Sequence, residues 1–309
     1  MDNDGKMEQK QKKKKTNPLL WIATGFFALV FGFSGFMLVR ELVQAKNEED
    51  AFETLSASRP RREGRTSASK SGTQSFGSDT IVVANEDSST TVLPNAPDSV
   101  TSSEPAEQSA EADTGESAIL EENRRLHEIN PDFFAWITIP GTNIDYPVMY
   151  APKRKNYYLG HDFNKNEAST GVPYLDEQCD PDGDYYLVYG HRPALGTMFY
   201  HLVDFQEESF WKEHNEIYFD TLNEERTYIV VAAFKARVLN QGETEGFRYY
   251  NYKSLNTEAK FNEYMRQVRA QQLYDTGIDV AFGDEILVLS TCFKYISTGR
   301  FVVVAKRID

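Results

Sequence analysis

The residue of this sequence best suited to nucleophilic chemistry is a cysteine at the end of an apolar run. Cys292 closes the run EILVLSTC, which begins at residue 285, and Arg300 opens a second apolar run eight residues later. Apolar, β-branched runs of this length are typical of buried strands, whose ends hold side chains rigidly. A thiol and a guanidinium on adjacent strands, with a histidine to exchange protons, are the parts of a cysteine acyl-transfer site. The structural alternative is a small buried cysteine without a chemical role.

His191 is the histidine best placed to exchange a proton with Cys292. It ends the run DYYLVYGH, which begins at residue 184, so it too is mounted at the end of a predicted strand. An imidazole beside the thiol can share its proton and later protonate an amine leaving group. The other four histidines lie in predicted helices or beside a turn glycine, where a surface histidine is ordinary: His127, His161, His201 and His214.

Arg300 has a different expected role, because a guanidinium stays protonated in proteins and cannot act as a base. We expect it to donate hydrogen bonds to the substrate carbonyl and to the oxyanion that develops from that carbonyl. The alternative is a structural ion pair between Arg300 and a surface carboxylate, which would leave the arginine outside the chemistry.

The amino-terminal residues predict a membrane anchor. A lysine-rich stretch that ends at residue 15 precedes residues 19–39, which carry no charge. About 20 apolar residues span a bilayer as a helix, and a lysine-rich flank stays on the cytoplasmic side. A cleaved signal peptide is the alternative, but its apolar core of roughly 7–15 residues would be shorter. The expected organisation is a cytoplasmic tail at 1–16, a single plasma-membrane span at 17–40 and an extracellular remainder.

Composition separates a linker from a folded domain. Residues 41–118 are rich in Ser, Thr, Glu, Ala and Pro and poor in large apolar residues, so they predict a disordered extracellular linker. Residues 119–309 are the predicted catalytic domain, and their number is ample for one hydrophobic core. The net charge of −14 argues against nucleic acid as a partner, because phosphate binding requires a basic face.

The second cysteine, Cys179, lies in the acidic turn DEQCDPDGD at residues 176–184. We expect an exposed thiol whose pKa the neighbouring carboxylates raise, which makes it the poorer nucleophile. A disulfide between Cys179 and Cys292 stays open, because the predicted extracellular location permits one. The aspartates of the turn match a calcium loop only in part and lack its distal glutamate, so a solvated turn is favoured over a metal site.

Short apolar runs between turn residues predict a mainly β domain. Strands are expected at 134–139, 144–149, 172–175, 185–189, 217–219, 227–238, 286–292 and 301–308. Helices are expected at 117–128, 197–202, 208–214 and 257–273. The helix before the cysteine strand has apolar residues at helical spacing, which indicates a packing face. About eight strands with few helices indicate a closed β-barrel or a sandwich that carries helical insertions.

These residues resemble the sortases, the membrane-anchored transpeptidases of Gram-positive bacteria, and class B most of all. The family's TLxTC signature is matched by VLSTC at 288–292, with valine in place of the first threonine. YGH at 189–191 matches the histidine motif and is followed by GTMF at 196–199. GRFVVVAK at 299–306 matches the arginine strand. NPDFFAWITIPG at 130–141 and IDYPV at 144–148 also resemble class B, so the likeness covers roughly residues 120–309.

The resemblance implies a fold and an activity. The fold is an eight-stranded sortase-type β-barrel with an N-terminal helix and a long helix at about 257–273 before the cysteine strand. Cys292 would attack the threonine carbonyl of a C-terminal sorting motif in a secreted protein and form a thioester. His191 would protonate the departing amine and then activate an incoming amine from a peptidoglycan cross-bridge or a pilin. Arg300 would meet them at one end of a groove, and no metal or organic cofactor is needed.

The resemblance also suggests groove-lining residues and marks one departure from the family. Leu159, Ser290 and Thr291 are expected to line the groove, although each can equally be ordinary barrel packing. Arg192 follows the histidine where the family often has asparagine, which leaves the contacts of that loop open.

Two other classes of protein fit parts of the sequence. A cell-wall cysteine peptidase would use the same nucleophile with water as the acceptor, but papain-like enzymes place the cysteine before the histidine, and here every histidine precedes Cys292. A non-catalytic, membrane-tethered binding module would account for the anchor and the linker. A binding module would not explain why three sortase-like motifs occur together in the family's order.

Overall fold

Eight strands close into a barrel in the computed structural model, which describes residues 18–60, 118–294 and 296–309. The strands are β1 (Phe133–Thr138), β2 (Asp145–Met149), β3 (Tyr174–Leu175), β4 (Tyr185–Gly190), β5 (Glu216–Thr221), β6 (Thr227–Arg237), β7 (Ile286–Cys292) and β8 (Gly299–Arg307). Their order around the barrel is β1-β2-β3-β4-β7-β8-β6-β5. The pairs β2–β3 and β4–β7 are parallel and the others are antiparallel. The predicted barrel is confirmed, and the sandwich alternative is excluded.

The described residues also form four α-helices and three short 3-10 helices. The α-helices are α1 (Pro18–Ser58), α2 (Ala118–Ile129), α3 (Glu208–His214) and α4 (Glu258–Gln271). The 3-10 helices are Tyr157–Leu159, Tyr200–Gln206 and Tyr249–Asn251.

Helix α4 shows how local signals set the bounds of an element. Thr257 caps its amino end, where the hydroxyl accepts a hydrogen bond from the backbone N–H of Lys260. Its buried face carries Phe261, Tyr264, Met265 and Val268, as the apolar spacing predicts. The helix ends two residues before the expected position 273, because Gln272 turns into an extended conformation and the N–H of Leu273 donates to the carbonyl of Ala233 on β6.

The strand that carries the candidate nucleophile is buried along most of its length. Residues 286–291 of β7 are buried, and exposure begins at Cys292, its last residue. Strand β7 lies between β4 and β8, so both of its edges are hydrogen-bonded. A strand covered on both faces reads as a continuous apolar run, which is the pattern that the sequence shows. The barrel therefore presents a rigid strand end to solvent at Cys292.

The amino-terminal part differs from the prediction in one respect. The composition predicts a disordered linker from residue 41, but residues 41–58 continue helix α1. Good helix formers such as Glu, Ala and Leu dominate this stretch, and Phe52 is buried against the barrel core. Residues 61–117 of the predicted linker and the whole predicted tail, 1–16, lie outside the described residues.

The single membrane span predicted for residues 17–40 is not supported by the helices that the structure describes. Among the described residues, none of the helices combines the length and the apolar character that crossing a bilayer requires.

Candidate active site

The register of three neighbouring strands places the thiol, the imidazole and the guanidinium at the same end of the barrel. Gly190, the last residue of β4, lies opposite Thr291 of β7 in a parallel pair, so His191 and Cys292 both follow directly after paired positions. Cys292 is itself paired with Arg300 on β8. Neighbouring strands lie about 4.8 Å apart, which brings side chains at the three ends within reach of one another.

One groove of about 430 Å³ holds every residue that the sequence singled out for the site. These residues are Leu159, His191, Ser290, Thr291, Cys292 and Arg300. The groove opens over the ends of β4 and β7, and tyrosines from β3, β4 and the 3-10 helix Tyr249–Asn251 line its sides. A thiol, an imidazole and a guanidinium in one groove can carry out acyl transfer.

The two cysteines have opposite environments, and the expectation for one of them is wrong. Both are free thiols, so the disulfide that the sequence left open does not form. Cys292 is exposed, as a nucleophile must be, whereas Cys179 is 3 % exposed instead of lying free in its acidic turn. Its sulfur accepts a hydrogen bond from the backbone N–H of Leu187 at 3.4 Å. Burial raises the pKa of Cys179 to about 12, and the nearby carboxylates add to the rise, so this thiol stays protonated and unreactive.

Two carboxylates of the acidic turn around Cys179 accept hydrogen bonds from backbone N–H groups. Asp180 accepts that of Asp182 at 3.1 Å, which is a contact expected of a folded turn. Asp184 accepts that of Leu255 at 3.0 Å, and this long-range bond anchors the segment before α4, where Leu255 is buried.

A backbone carbonyl fixes the orientation of His191. The ring nitrogen Nε2 lies 2.8 Å from the carbonyl oxygen of Leu159. A carbonyl only accepts hydrogen bonds, so Nε2 must carry a hydrogen, and Nδ1 is the nitrogen left to exchange a proton in the neutral ring. Leu159 therefore contributes its backbone to the site, whereas the sequence suggested only a lining side chain. A backbone contact of this kind leaves no signature in residue types.

Arg300 is half-buried at the start of β8. Its Nη1 donates to the carbonyl of Gly299 at 2.9 Å, and the carbonyl of Thr298 lies 3.5 Å away. A guanidinium has five N–H donors, so donors remain for an oxygen atom in the groove. The paired position opposite Cys292 places these donors beside the thiol, where they can reach an oxygen atom on a carbon that the thiol attacks.

Ser290 and Thr291 lie beneath the groove, and their hydroxyl groups bind protein atoms. Both side chains are at most 2 % exposed. The hydroxyl of Ser290 is 2.8 Å from the Tyr249 hydroxyl, and that of Thr291 donates to the carbonyl of Gly190 at 2.8 Å. The first contact ties the 3-10 helix that carries Tyr249 to β7, and the second ties the end of β4 to the end of β7. Both residues hold the groove in shape.

The ring of Phe199 packs so close to Gly190, the glycine of the histidine motif, that there is no room for a side chain at this position. A Cβ atom at Gly190 would lie 2.6 Å from the ring of Phe199, which is fully buried. The N–H of Phe199 also donates to the carbonyl of His191 at 3.0 Å. Two separated motifs of the sequence thus meet in one contact that holds the loop after β4. In that loop the guanidinium of Arg192 packs over the ring of Tyr200 at 4.5 Å.

A carboxylate that the sequence placed in the acidic turn lines the groove instead. Asp176 is buried, which raises its pKa, while a hydrogen bond from the backbone of Gln178 opposes the rise. Tyr189 hydrogen-bonds to Asp176, and burial also raises the pKa of this tyrosine. The rings of Tyr174 and Tyr189 lie 5.6 Å apart along the same wall. The run of acidic residues suggested solvent exposure, but the strand pair β3–β4 turns Asp176 inward.

Comparison with known proteins identifies the family. The sortase domain model matches residues 137–308. The chain belongs to the sortase family. Sortase B of Listeria monocytogenes is 27 % identical over 192 residues, which cover 61 % of this chain and 74 % of that protein.

Solved sortase B structures agree with this assignment. The Staphylococcus aureus sortase B–substrate complex aligns with a TM-score of 0.54 and 27 % identity, over 61 % of this chain and 85 % of that one. A sortase B complexed with triglycine aligns with a TM-score of 0.55 and 26 % identity, over 62 % and 87 %. The predicted class B sortase is therefore confirmed. The protein is a cysteine transpeptidase of the type that anchors proteins to the Gram-positive cell wall.

Proposed function

We propose that this sortase cleaves a C-terminal sorting motif of secreted proteins after threonine and transfers the acyl group to an amine of the cell wall. The observation that carries the proposal is the meeting of Cys292, His191 and Arg300 in one groove, at the ends of three neighbouring strands. The substrate complex of the related sortase B supports the donor, and the relative complexed with triglycine supports an amine acceptor.

The acylation half-reaction uses all three side chains. The thiol proton of Cys292 passes to Nδ1 of His191, and the sulfur attacks the threonine carbonyl carbon while the electron pair of the C=O bond moves to the oxygen. Arg300 donates hydrogen bonds to that oxygen as its negative charge grows. When the tetrahedral intermediate collapses, the C–N bond breaks and Nδ1 of His191 supplies the proton that the departing amine needs. The products are a thioester on Cys292 and the free C-terminal fragment.

The second half-reaction runs through the same groups in reverse. An incoming amine attacks the thioester carbon, and Nδ1 of His191 removes the proton that the new amide nitrogen must lose. The C–S bond breaks, Cys292 leaves as the thiolate and the cysteine–histidine pair returns to its starting state. The Leu159 carbonyl assists both halves, because it keeps a hydrogen on Nε2 and so keeps Nδ1 available.

Replacement of Cys292 tests the nucleophile directly. We expect Cys292→Ala to abolish the covalent adduct that mass spectrometry detects after incubation with sorting-motif peptides. Cys179→Ala is the matched control, because it removes a buried thiol that does not line the groove. An adduct that persists in Cys292→Ala, or one that maps to position 179, would refute the proposed site.

The acceptor distinguishes a transpeptidase from a cell-wall cysteine peptidase. Added amine should divert the acyl-enzyme from hydrolysis to a transfer product, in proportion to amine concentration. A peptidoglycan cross-bridge amine is the favoured acceptor, and a pilin lysine is the second candidate. Parallel reactions with a short glycine peptide, a diaminopimelate peptide and a lysine-bearing pilin fragment rank the acceptors. Hydrolysis unaffected by any amine would favour the peptidase.

The remaining predictions from the sequence belong to the same proposal. The catalytic domain is residues 119–309, and a single span at 17–40, with the amino terminus inside, would place it on the outer side of the plasma membrane. Fractionation tests the span: the full chain should sediment with membranes after a carbonate wash, and a chain that begins at residue 41 should not. Recovery of both chains in the supernatant would exclude the span.

A further inference from the structure

The end of helix α1 and the residue after it are held on the barrel wall by a buried ion pair. The Nη2 atom of Arg59 lies 2.8 Å from Oδ2 of Asp220 on β5, and the two side chains are 7 % and 1 % exposed. The guanidinium also packs over the ring of Trp136 on β1, 5.0 Å from its centroid. Buried arginines are rare unless they are paired, so this contact marks a specific docking position.

Helix α2 completes the same docking position. Nε of Arg59 donates to Oδ1 of Asn123 at 3.3 Å. The amide nitrogen of Asn123 donates in turn to the carbonyls of Asp220 at 3.0 Å and Thr221 at 2.7 Å. Asn123 is fully buried, so its hydrogen bonds are made inside the protein. The end of α1, helix α2 and strand β5 therefore share one polar network.

A second set of contacts lies earlier on α1. The ring of Phe52 meets that of Tyr146 edge to face, with centroids 5.7 Å apart, and Phe52 is 4 % exposed. Ser56 donates a hydrogen bond to Asp145, whose other oxygen accepts from Trp136 Nε1 at 2.7 Å. Contacts two helical turns apart fix the direction of the helix as well as its position.

This docking position lies across the barrel from the catalytic groove. The contacts to α1 come from β5, β1 and β2, which are neighbours in the closed strand order. The groove is built on β4, β7 and β8, which occupy the opposite side of that order. A helix docked against β5, β1 and β2 therefore leaves the catalytic groove on the side of the barrel that faces away from the helix.

We propose that Arg59, through Asp220 and Asn123, locks the end of helix α1 onto the barrel wall opposite the catalytic groove, so that the barrel keeps a fixed orientation relative to the helix. The barrel is then attached to α1 by direct contacts, in a fixed orientation. The proposal concerns the attachment of the domain and does not depend on the transpeptidase chemistry.

Photo-crosslinking in the full chain tests the lock. A benzophenone amino acid at position 52 should crosslink to the peptide that contains Tyr146, as mapped by mass spectrometry. Arg59→Glu places a carboxylate against Asp220, and loss of a buried ion pair should lower the crosslink yield at least about ten-fold. Arg59→Glu with Asp220→Arg restores opposite charges and should recover most of the yield. Glu53→Arg is the control, because it reverses an exposed charge on the same helix.

The outcomes separate a lock from an incidental contact. A cooperative urea-unfolding transition reports whether each variant is folded, and the crosslink reports whether α1 is docked. A folded Arg59→Glu variant with full crosslink yield would overturn the proposal, and so would a crosslink that maps elsewhere in the wild type. A charge-swapped variant that folds but stays undocked would also overturn it.

A deletion tests whether the docking of α1 is independent of residues 61–117. Arg59 touches Asn123, and Ala118 lies about 7.5 Å back along α2, so a short connection can bridge the two ends. We would replace residues 61–117 with eight Gly/Ser residues, which reach at most about 26 Å. The crosslink at position 52 should survive within about two-fold, because the closure cost changes slowly with loop length. Its loss in a folded deletion variant would show that the ends are not held together.

Discussion

Thr291 offers a sharp test of how the cysteine and histidine are held relative to each other. Its hydroxyl donates to the Gly190 carbonyl at 2.8 Å, and the side chain is 2 % exposed. Valine has nearly the same shape but no hydroxyl, so Thr291→Val removes the hydrogen bond and leaves the packing. The lost bond should lower the free energy of unfolding by about 1–2 kcal/mol. For a domain of this size that corresponds to a fall in Tm of roughly 2–8 °C.

The catalytic effect should exceed the stability effect. The bond joins the residue before His191 to the residue before Cys292, so its loss lets the imidazole and the thiol drift apart. A displacement of about 1 Å from reactive geometry costs on the order of 10²-fold in rate, and we expect a 10- to 100-fold slower acylation. The KM for the sorting peptide should change little, because the hydroxyl is buried and already donates to the Gly190 carbonyl.

Single-turnover acylation, followed by mass spectrometry well below the Tm of each variant, is the assay. Thr291→Ser is the matched control, because it keeps the hydroxyl and removes a methyl group. It should acylate within a few-fold of the wild type. An unchanged acylation rate in Thr291→Val, or equal defects in the valine and serine variants, would refute the positioning role.

Three further predictions follow from the groove and its supports. Gly190→Ala places a Cβ 2.6 Å from the buried Phe199 ring, and this overpacking should lower the free energy of unfolding, measured with urea, by about 1–3 kcal/mol. Adding Phe199→Leu to that variant should restore part of the lost stability. Arg300→Ala should lower kcat/KM for acylation about 10²- to 10³-fold, measured with a sorting peptide. Arg300→Lys should recover only part of the lost activity, because lysine lacks the planar fork of donors, and equal activity of the wild type and both variants would exclude the oxyanion role. Burial raises the pKa of Cys179 from 9.0 to about 12, so the folded state holds its proton more tightly. The resulting stability is complete below about pH 9 and is lost as the pH rises towards 12, and the unfolding free energy of the wild type should fall more steeply over that window than that of Cys179→Ala.

Much of the fold could be predicted from the sequence, because strands and helices are marked by patterns of neighbouring residues. Short apolar runs between turn residues mark the eight strands, and the helix before the cysteine strand shows its apolar spacing. The order of three motifs identified the family before any contact was known. Cys292, His191 and Arg300 stood out for the same reason, because each follows or opens a run that reads as a strand.

Errors arose where a local context suggested an exposure that the tertiary structure reversed. Cys179 and Asp176 sit in an acidic run that predicts solvent exposure, but both are buried. The N–H of Asp176 donates to the carbonyl of Leu187 on β4, and the sulfur of Cys179 accepts from the N–H of the same residue. Residues 41–58 have the polar composition of a linker, but a phenylalanine and an arginine find buried partners far away in sequence and hold the stretch as helix. Composition averages over a segment, whereas a few long-range contacts decide whether it is ordered.

The amino-acid sequence alone determined the class of chemistry, the family and the strand count, because residue type and period are local properties. Only the tertiary structure decided which atoms do the positioning. The Leu159 carbonyl that sets the His191 ring, the Thr291 bond to Gly190 and the Arg59 pair with Asp220 join residues 32, 101 and 161 positions apart. Such contacts depend on barrel closure and strand register, and the chain must fold before either exists.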